Sequence, residues 1–345
     1  MSALTRPVRL ACAVALVAWS GAGAPLSADA VGVPDAVTDV RIEEERAYTW
    51  SQVRLHLNWQ VPDGTQAGDT FSLTLPPQLA ATDGMTFPLN DAAGQAVANA
   101  RVAGNVVTFT MTNYAENHTG VRGTAWFWVN FTEVVQPGED LELAFEVEST
   151  TFRDTIRIGN PVPAPEDGAF KWQRWEHEAG QRLDRFLWAI DGPVVRENMI
   201  NAPYEIVDVA GPGQAIDCDD VHIFAGGPQD WSNPAYITRN RLEEFACSTE
   251  QVSFTYFPTQ AELGRSIRLL GHSDVTDTTL PAYRNSGVVR IWETAEWEVS
   301  HVLNAGGGGD GEGQEPTTPP TTEPGEPPTD EPTTPAPTDE PTTPA

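Results

Sequence analysis

The sequence predicts an all-β chain, with two β-sandwich domains in tandem followed by a disordered Pro/Thr/Glu-rich tail. Three observations carry that expectation. Short runs with apolar residues at every second position recur from Asp39 to Trp292, with Pro, Gly, Asn and Asp between them. The alternation breaks at the proline-rich stretch 159–168, and it ends after Leu303, where large apolar residues disappear. A length of 345 residues accommodates two domains of ordinary size and ends that need not fold.

The chain begins with Arg6 and Arg9, an apolar run over 10–19, and small residues ending in Ala28-Asp29-Ala30. This order reads as a secretory signal peptide over residues 1–30, cut after Ala30. The run is too short to cross a bilayer well, and Cys12 lies inside it rather than after it, so neither a membrane span nor a lipid anchor is expected after cleavage.

Val53-Arg54-Leu55-His56-Leu57-Asn58-Trp59 is the first clear strand, apolar at every second residue. Runs over 70–75, 106–111, 124–131 and 141–147 follow, punctuated by Asp63-Gly64, Gly68-Asp69, Pro76-Pro77 and Pro137-Gly138. Residues 159–168 hold three prolines in ten and read as a stiff linker. A second series covers 186–190, 204–207, 221–224, 252–257, 266–270 and 287–292, with one short helix expected within 237–245. The tail from 304 to 345 repeats Asp-Glu-Pro-Thr-Thr-Pro, has nothing to bury, and reads as an extended spacer.

Charge and cysteines narrow the function classes. Lys and Arg total 20 against 49 Asp and Glu, a formal charge of −29, which repels nucleic acid and acidic lipid surfaces. Export leaves Cys218 and Cys247 in an oxidising compartment, where an even pair reads as a disulfide. His177, His222, His272 and His301 are scattered, and the cluster Asp217, Asp219, Asp220 lacks the glycine and glutamate of a calcium loop. No metal and no cofactor are therefore expected. Neither a Gly-x-Ser-x-Gly motif nor an evident carboxylate pair is present, and the chain does not read as an enzyme.

Lys171 is the only lysine in the chain. With arginine used everywhere else, this position points to an amine that must lose its proton, which guanidinium does not do. The strand Tyr204-Glu205-Ile206-Val207-Asp208 ends in a carboxylate, and Asn285 offers a carboxamide later in the chain. The expectation is that Lys171, Asp208 and Asn285 meet in an apolar core and form an intramolecular Lys–Asn isopeptide bond. Phe170, Trp172 and Trp175 would provide the dry surroundings that lower a lysine pKa and raise that of Asp208. A protonated Asp208 would then polarise the Asn285 carbonyl, ammonia would leave, and the event would not turn over. The bond would close a loop holding residues 172–284. By chain entropy that is worth about 4–5 kcal/mol.

Ala67-Gly68-Asp69-Thr70 leading into Leu73-Thr74-Leu75-Pro76, and Val107-Thr108-Phe109-Thr110-Met111-Thr112-Asn113-Tyr114, resemble two motifs of Gram-positive cell-wall adhesins of the MSCRAMM type. They are the AGDT…LP strand and the TYTFTDY latching-trench motif of the Ig-like ligand-binding domain. Trp188, the strand ending at Asp208, and Ala282-Tyr283-Arg284-Asn285 resemble the collagen-binding-type domain that follows it. The resemblance covers about residues 37–300. It implies an Ig-like adhesin domain over 37–158, a linker over 159–168, a collagen-binding-type sandwich over 169–303 and a spacer over 304–345. It also implies that Lys171, Asp208 and Asn285 take the family's crosslinking roles, and that Asn113 and Tyr114 line a ligand trench.

The function so implied is a secreted or cell-surface adhesin, expected to be monomeric. It would hold an extended host or matrix protein, such as collagen, between its domains while a C-terminal segment crosses back to close the cleft. The sequence departs from the family in three ways. The first domain has no lysine for a crosslink of its own, Cys218–Cys247 lies outside the pattern, and the chain ends at Ala345 without an LPxTG sorting signal, so cell-wall association rests on the spacer. Two alternatives stand beside this reading. One is a carbohydrate-binding module using some of the 11 tryptophans, among them Trp172, Trp175, Trp188 and Trp231. The other is a structural subunit of a surface fibre.

Overall fold

The computed structural model describes residues 30–49, 51–132, 135–148, 150–160, 166–176, 185–227, 231–292 and 295–315. The expected signal peptide up to residue 29, the linker prolines Pro161, Pro163 and Pro165, His177, and the tail from 316 onward lie outside the described residues.

In the first domain the alternating runs form β1 (Val37–Ile42), β2 (Arg46–Tyr48), β3 (Gln52–Gln60), β4 (Thr70–Thr74), β5 (Leu79–Ala80), β6 (Thr86–Asn90), β7 (Ala96–Ala103) and β8 (Val106–Met111). A single helical turn, α1 (Tyr114–Asn117), leads into β9 (Thr119–Phe131), β10 (Asp140–Val147) and β11 (Thr150–Gly159). β3 shows how the sequence dictates its pairing. Val53, Leu55, Leu57 and Trp59 are buried while the residues between them are not, so a slip of one register would turn the whole apolar set outward. The core of this domain stacks Trp59, Phe71, Phe109, Phe87 and Phe127, with Phe71 and Phe109 ring centroids 4.8 Å apart.

The second domain contains β12 (Phe170–Trp175), β13 (Arg185–Val194), β14 (Tyr204–Ala210), β15 (Gln214–Ile216), β16 (His222–Gly226) and β17 (Ala235–Tyr236). It continues with β18 (Leu242–Cys247), β19 (Gln251–Tyr256), β20 (Ser266–Val275), β21 (Ala282–Ile291) and β22 (Ala295–Asn304). One sheet runs β12-β13-β20-β16-β17, with β15 also on β20, and the other runs β18-β19-β14-β21-β22. Large apolar residues from both sheets, including Trp175, Trp188, Tyr204, Phe254 and Tyr283, fill the space between them. The helix expected within 237–245 is absent. A 3₁₀ turn at Arg239–Arg241 precedes β18, because Leu242 and its neighbours pair with β19 instead.

The largest departure from the sequence reading is at the C-terminal end. Gly307–Gln314 was expected in the spacer, yet it forms strand β23 and returns to the first domain. There it runs antiparallel to β9 from Gly307↔Phe127 to Gln314↔Thr119, and it meets β6 in a parallel pair at Asp310↔Asn90. β23 is the strand that joins β1-β3-β9 to β6-β7-β8-β4-β10-β11-β2. The crossing is short and pinned. Gln52 exchanges two hydrogen bonds with the Asn304 backbone, at 2.6 and 2.7 Å, and the Trp128 N–H donates to the Gly306 carbonyl at 3.1 Å.

Alternate glycines explain why this stretch enters a core without apolar side chains. A Cβ on Gly307, Gly309, Gly311 or Gly313 would run into Phe87, Leu89, Val97 or His118 respectively. The backbone itself occupies the volume a side chain would need. The intervening residues face outward and set the register. Asp310 Oδ1 accepts from Thr124 N at 2.8 Å and Thr124 Oγ1 at 2.9 Å, and Glu312 pairs with Arg122 at 2.7 Å.

Gly309→Val should therefore unseat β23, since its side chain meets both Leu89 and the Thr124 carbonyl oxygen. Amide exchange over 307–314 and along the facing half of β9 should rise to that of an open strand, with a loss of about 1–3 kcal/mol in folding stability. Unchanged protection of β9 would contradict the close approach.

Candidate functional site

Along β12 the residues alternate, with Lys171, Gln173 and Trp175 buried and Phe170 and Trp172 turned to the other face. The strand period thus sends the chain's single lysine into the sandwich and turns Phe170 and Trp172, expected to surround it, to the opposite face, so that of the three expected aromatics only Trp175 shares its side. Lys171 is 2% exposed, and Asp208 on β14 and Asn285 on β21 are fully buried. Asp208 lies opposite Gly287 and Asn285 opposite Ala210, so the carboxyl and the carboxamide are diagonal neighbours on one face of the sheet. The Lys171 ammonium nitrogen donates to Asp208 Oδ1 across the gap between the sheets, and it lies 4.9 Å from the centre of the Trp188 ring.

The electrostatics of this group follow from burial. Loss of water pushes the Lys171 pKa down, against the opposing pull of the Asp208 charge. Loss of water likewise pushes the Asp208 carboxyl up, against Lys171 and, more weakly, the Asn285 amide. Asn285 lies close enough to favour the charged carboxylate, yet among the described residues neither of its amide atoms completes a hydrogen bond of ordinary geometry. Asp208 Oδ2 is also without one. An orphaned buried amide is costly in a protein interior. Here it lies beside an amine held towards its neutral form and a carboxyl held towards its protonated form. That arrangement is chemically suited to acyl transfer from the amide to the amine.

The surroundings exclude water. Trp175 packs edge-on against Phe186 and Tyr283 at 5.8 and 5.7 Å, the Trp188 indole N–H donates to Ser273 Oγ at 2.9 Å, and the Gln173 amide donates to the Tyr283 carbonyl at 2.7 Å. His301 on β22 is the cross-strand partner of Asn285.

The other residues singled out in the sequence fall in different places. Asn113 is exposed at the entry to α1, whereas Tyr114 is buried and stacks on His118 with ring centroids 3.7 Å apart. Burial raises the Tyr114 pKa, and Gly313 of β23 approaches its hydroxyl. Tyr114 thus lies at the end of the groove that β23 occupies. Cys218 and Cys247 form a disulfide that joins the turn before β16 to β18. Among the tryptophans considered for sugar stacking, Trp175 and Trp188 are core residues, while Trp172 and Trp231 are half-buried at the surface.

Those two surface tryptophans mark a feature that the sequence reading missed. Phe170, Asp191, Arg268, Phe224 and Tyr236 are successive partners across β12, β13, β20, β16 and β17, forming one row on the outer face of that sheet. Asp191 takes two hydrogen bonds from the Arg268 guanidinium, at 2.5 and 2.8 Å. The guanidinium lies 3.6 Å from the Trp231 ring centre and 5.5 Å from that of Trp172. Phe170 and Tyr236, at the two ends, are 41% and 49% exposed. Part-exposed rings are thereby gathered around a fixed cation on one face of the sheet. The only signal for it in the sequence was aromatic residues at the outward positions of strands.

Comparison with known proteins agrees with this architecture. The bacterial Ig domain family matches residues 46–140. Among curated protein sequences none matches the chain. The collagen adhesin of S. aureus is similar in structure at 14% identity, covering 83% of this chain and 98% of the adhesin with a TM-score of 0.53. The collagen-binding domain of the Erysipelothrix rhusiopathiae surface protein RspB is similar at 13% identity, covering 83% of this chain and 99% of that one with a TM-score of 0.51. The chain has the fold of the Gram-positive collagen adhesins, with Ig-like β-sandwich domains in tandem.

The buried pair can be tested without the proposed bond. In an Asn285→Ala background, Asp208→Ala should cost a further ~3–5 kcal/mol in urea unfolding, because it strands the Lys171 amine in a dry core. A further loss below about 1 kcal/mol, the scale of a surface pair, would contradict the enclosure.

Proposed function

We propose that this chain is the ligand-binding head of a secreted or surface-attached adhesin, and that its second domain is closed by an isopeptide bond between Lys171 and Asn285. The single observation that carries the reading is the enclosed group of Lys171, Asp208 and an Asn285 amide that completes no hydrogen bond of ordinary geometry among the described residues. The tandem fold it shares with two collagen-binding proteins supports the adhesive role.

In this reading the Lys171 nitrogen attacks Asn285 Cγ while Asp208, protonated, hydrogen-bonds the carbonyl oxygen. The Cγ–Nδ2 bond then breaks and ammonia departs. The new bond ties β12 to β21, and the loop between them contains β13 to β20. The sheets stack with β12 beside β22 at one edge, and the disulfide joins them at the other edge, between the start of β16 and β18. A sandwich fastened at both edges resists shear when a bound partner is pulled.

The partner we propose is an extended extracellular polypeptide held between the domains. The row from Phe170 to Tyr236 is its contact surface on the second domain, and the crossing from Asn304 into β23 is the closing strap. The same row of rings suits a sugar face, which keeps a carbohydrate ligand as the second reading.

Intact mass of the reduced, folded chain should fall short of the sequence mass by one ammonia, and Lys171→Ala or Asn285→Ala should restore it. Full mass in the unaltered chain would overturn the crosslink. For the ligand, surface plasmon resonance against triple-helical collagen and a panel of extended matrix proteins should show binding. Tyr236→Ala should weaken it about tenfold or more, and shortening the 160–168 linker should abolish it. Glycan-array binding that depends on Tyr236, with no polypeptide bound, would favour the carbohydrate reading.

A further inference from the structure

Another surface with unused binding groups lies on the first domain, away from the buried lysine and from the Arg268 row. Alternation along β3 and β9 points Arg54, His56 and Asn58, and likewise Thr124, Trp126 and Trp128, away from the core. Sheet registration sets them side by side, Arg54 with Trp128, His56 with Trp126 and Asn58 with Thr124. β23 extends the rows, placing Gly308 beside Trp126 and Asp310 beside Thr124, with Asn90 of β6 beyond Asp310. One outer face is thus assembled from three strands of the first domain and from the strap.

Its two halves differ. Towards the crossing, Trp126 and Trp128 are half-buried, and the Arg54 guanidinium lies 5.4 and 5.8 Å from their ring centres. Glu43 pairs with that guanidinium. A Cβ on Gly308 would lie 3.3 Å from the Trp126 ring, so the bare glycine lets the indole settle against the strap backbone. Farther along is a groove of about 720 Å³, whose lining includes Asn58, Gln60, Asn90, Arg122, Asp310 and Glu312.

The polar groups of the groove are divided in a way that selects a ligand. Its charges are engaged. Glu312 pairs with Arg122 at 2.7 Å, Asp310 accepts from the Thr124 N–H and hydroxyl, and Asp91 at the rim accepts from the Ala93 and Gln95 amides at 2.9 and 2.8 Å. Its carboxamides are free. Among the described residues the side chains of Asn58, Gln60 and Asn90 make no hydrogen bond, and the indole N–H groups of Trp126 and Trp128 have no acceptor. Each carboxamide offers two donors and an acceptor. What the groove leaves open is therefore neutral, and the carboxylates of Asp91, Asp310 and Glu312 against the single guanidinium of Arg122 repel an anion.

An extended peptide is poorly served here. Peptides add to a sheet at an open edge, where main-chain groups are unpaired. This face is the middle of a sheet, with β9 between β3 and β23 and β23 between β9 and β6. A saccharide needs no main-chain ladder. Its ring offers a C–H face to an indole, and its hydroxyls both donate to and accept from carboxamides.

We propose that this face of the first domain is a binding site for an uncharged oligosaccharide. Trp126 and Trp128 stack against its rings, and Asn58, Gln60 and Asn90 bond its hydroxyls in the adjoining groove. The site goes beyond the polypeptide contact on the second domain and does not rest on the crosslink. Because Gly308, Asp310 and Glu312 belong to β23, it is complete only while the strap is seated. Saccharide binding and strap closure then favour each other by linkage.

The test uses the full chain and a panel of neutral tetrasaccharides of glucose, galactose, mannose or N-acetylglucosamine, each titrated to about 10 mM, past a millimolar Kd. Binding is read from the tryptophan indole resonances, those of Trp126 and Trp128 being assigned by substitution. At least one tetrasaccharide should shift both resonances and slow amide exchange over 307–314. Trp126→Ala and Asn58→Ala, each with native near-ultraviolet dichroism, should weaken that binding about threefold to tenfold. Gly309→Val, which unseats the strap, should abolish it. No binding by any member of the panel overturns the proposal, and so does binding that stays at full strength in Trp126→Ala and Asn58→Ala or in Gly309→Val. A missing collagen signal or a full unmodified mass would count against the proposed function alone and leave this site standing.

Discussion

A lone ammonium and carboxylate, fully enclosed between two sheets, is the constraint on which the second domain depends. Removing each ion from water costs several kcal/mol, which a single contact recovers only in part. Lys171 and Asp208 therefore sit where the charged forms are least favoured, with Trp188 under the amine and Trp175, Phe186 and Tyr283 closing the space around it. A stable fold alone would be better served by three apolar residues here. The arrangement makes chemical sense when the amine and carboxyl are neutral reactants beside an amide, and when the cost of enclosing them is relieved by a bond that removes both the amine and the orphaned carboxamide.

The rest of the molecule is arranged around that group. β12 is the first strand after the linker, so one end of the proposed bond lies where the first domain is attached. The other end lies on β21, and only β22 and the crossing to β23 follow it. Tension arriving through the C-terminal tail would thus meet β23 and β22 before the fastened part of the sandwich. β23 binds the first domain through backbone pairing and two polar contacts, Asp310 with Thr124 and Glu312 with Arg122, rather than through buried side chains. A strap of that composition is held firmly enough to complete the first sheet, and it carries no apolar surface to aggregate when it is out of place.

Much of this was legible in the sequence because period-two alternation is a strong signal where one face is buried. Val53 to Trp59 reveals both strand and facing from residue types alone, whereas Phe170 to Trp175 does not, since Phe170 and Trp172 face outward and Lys171 and Gln173 inward; there it was the solitary lysine that drew attention to its own position. β23 escaped because its inward residues are glycines. Gly-Gly-Gly-Gly-Asp-Gly-Glu-Gly reads as flexible linker to any argument that looks for side chains to bury, and only the neighbouring Phe87, Leu89 and Val97 show that their absence is the fit. The Arg268 row was illegible for another reason. Its members are spread over five strands, and only sheet registration brings them into line. His301 looked like one scattered histidine until the pairing of β21 with β22 set it opposite Asn285.

Because lysine occurs once, nitrogen-15 placed at the side-chain nitrogen of lysine reports on Lys171 alone. A single resonance of amide character bearing one proton, slow to exchange with solvent and coupled to the Asn285 side-chain carbonyl carbon, is the result this account predicts. An ammonium or amine resonance from the folded protein, with no coupling to that carbon, would contradict it.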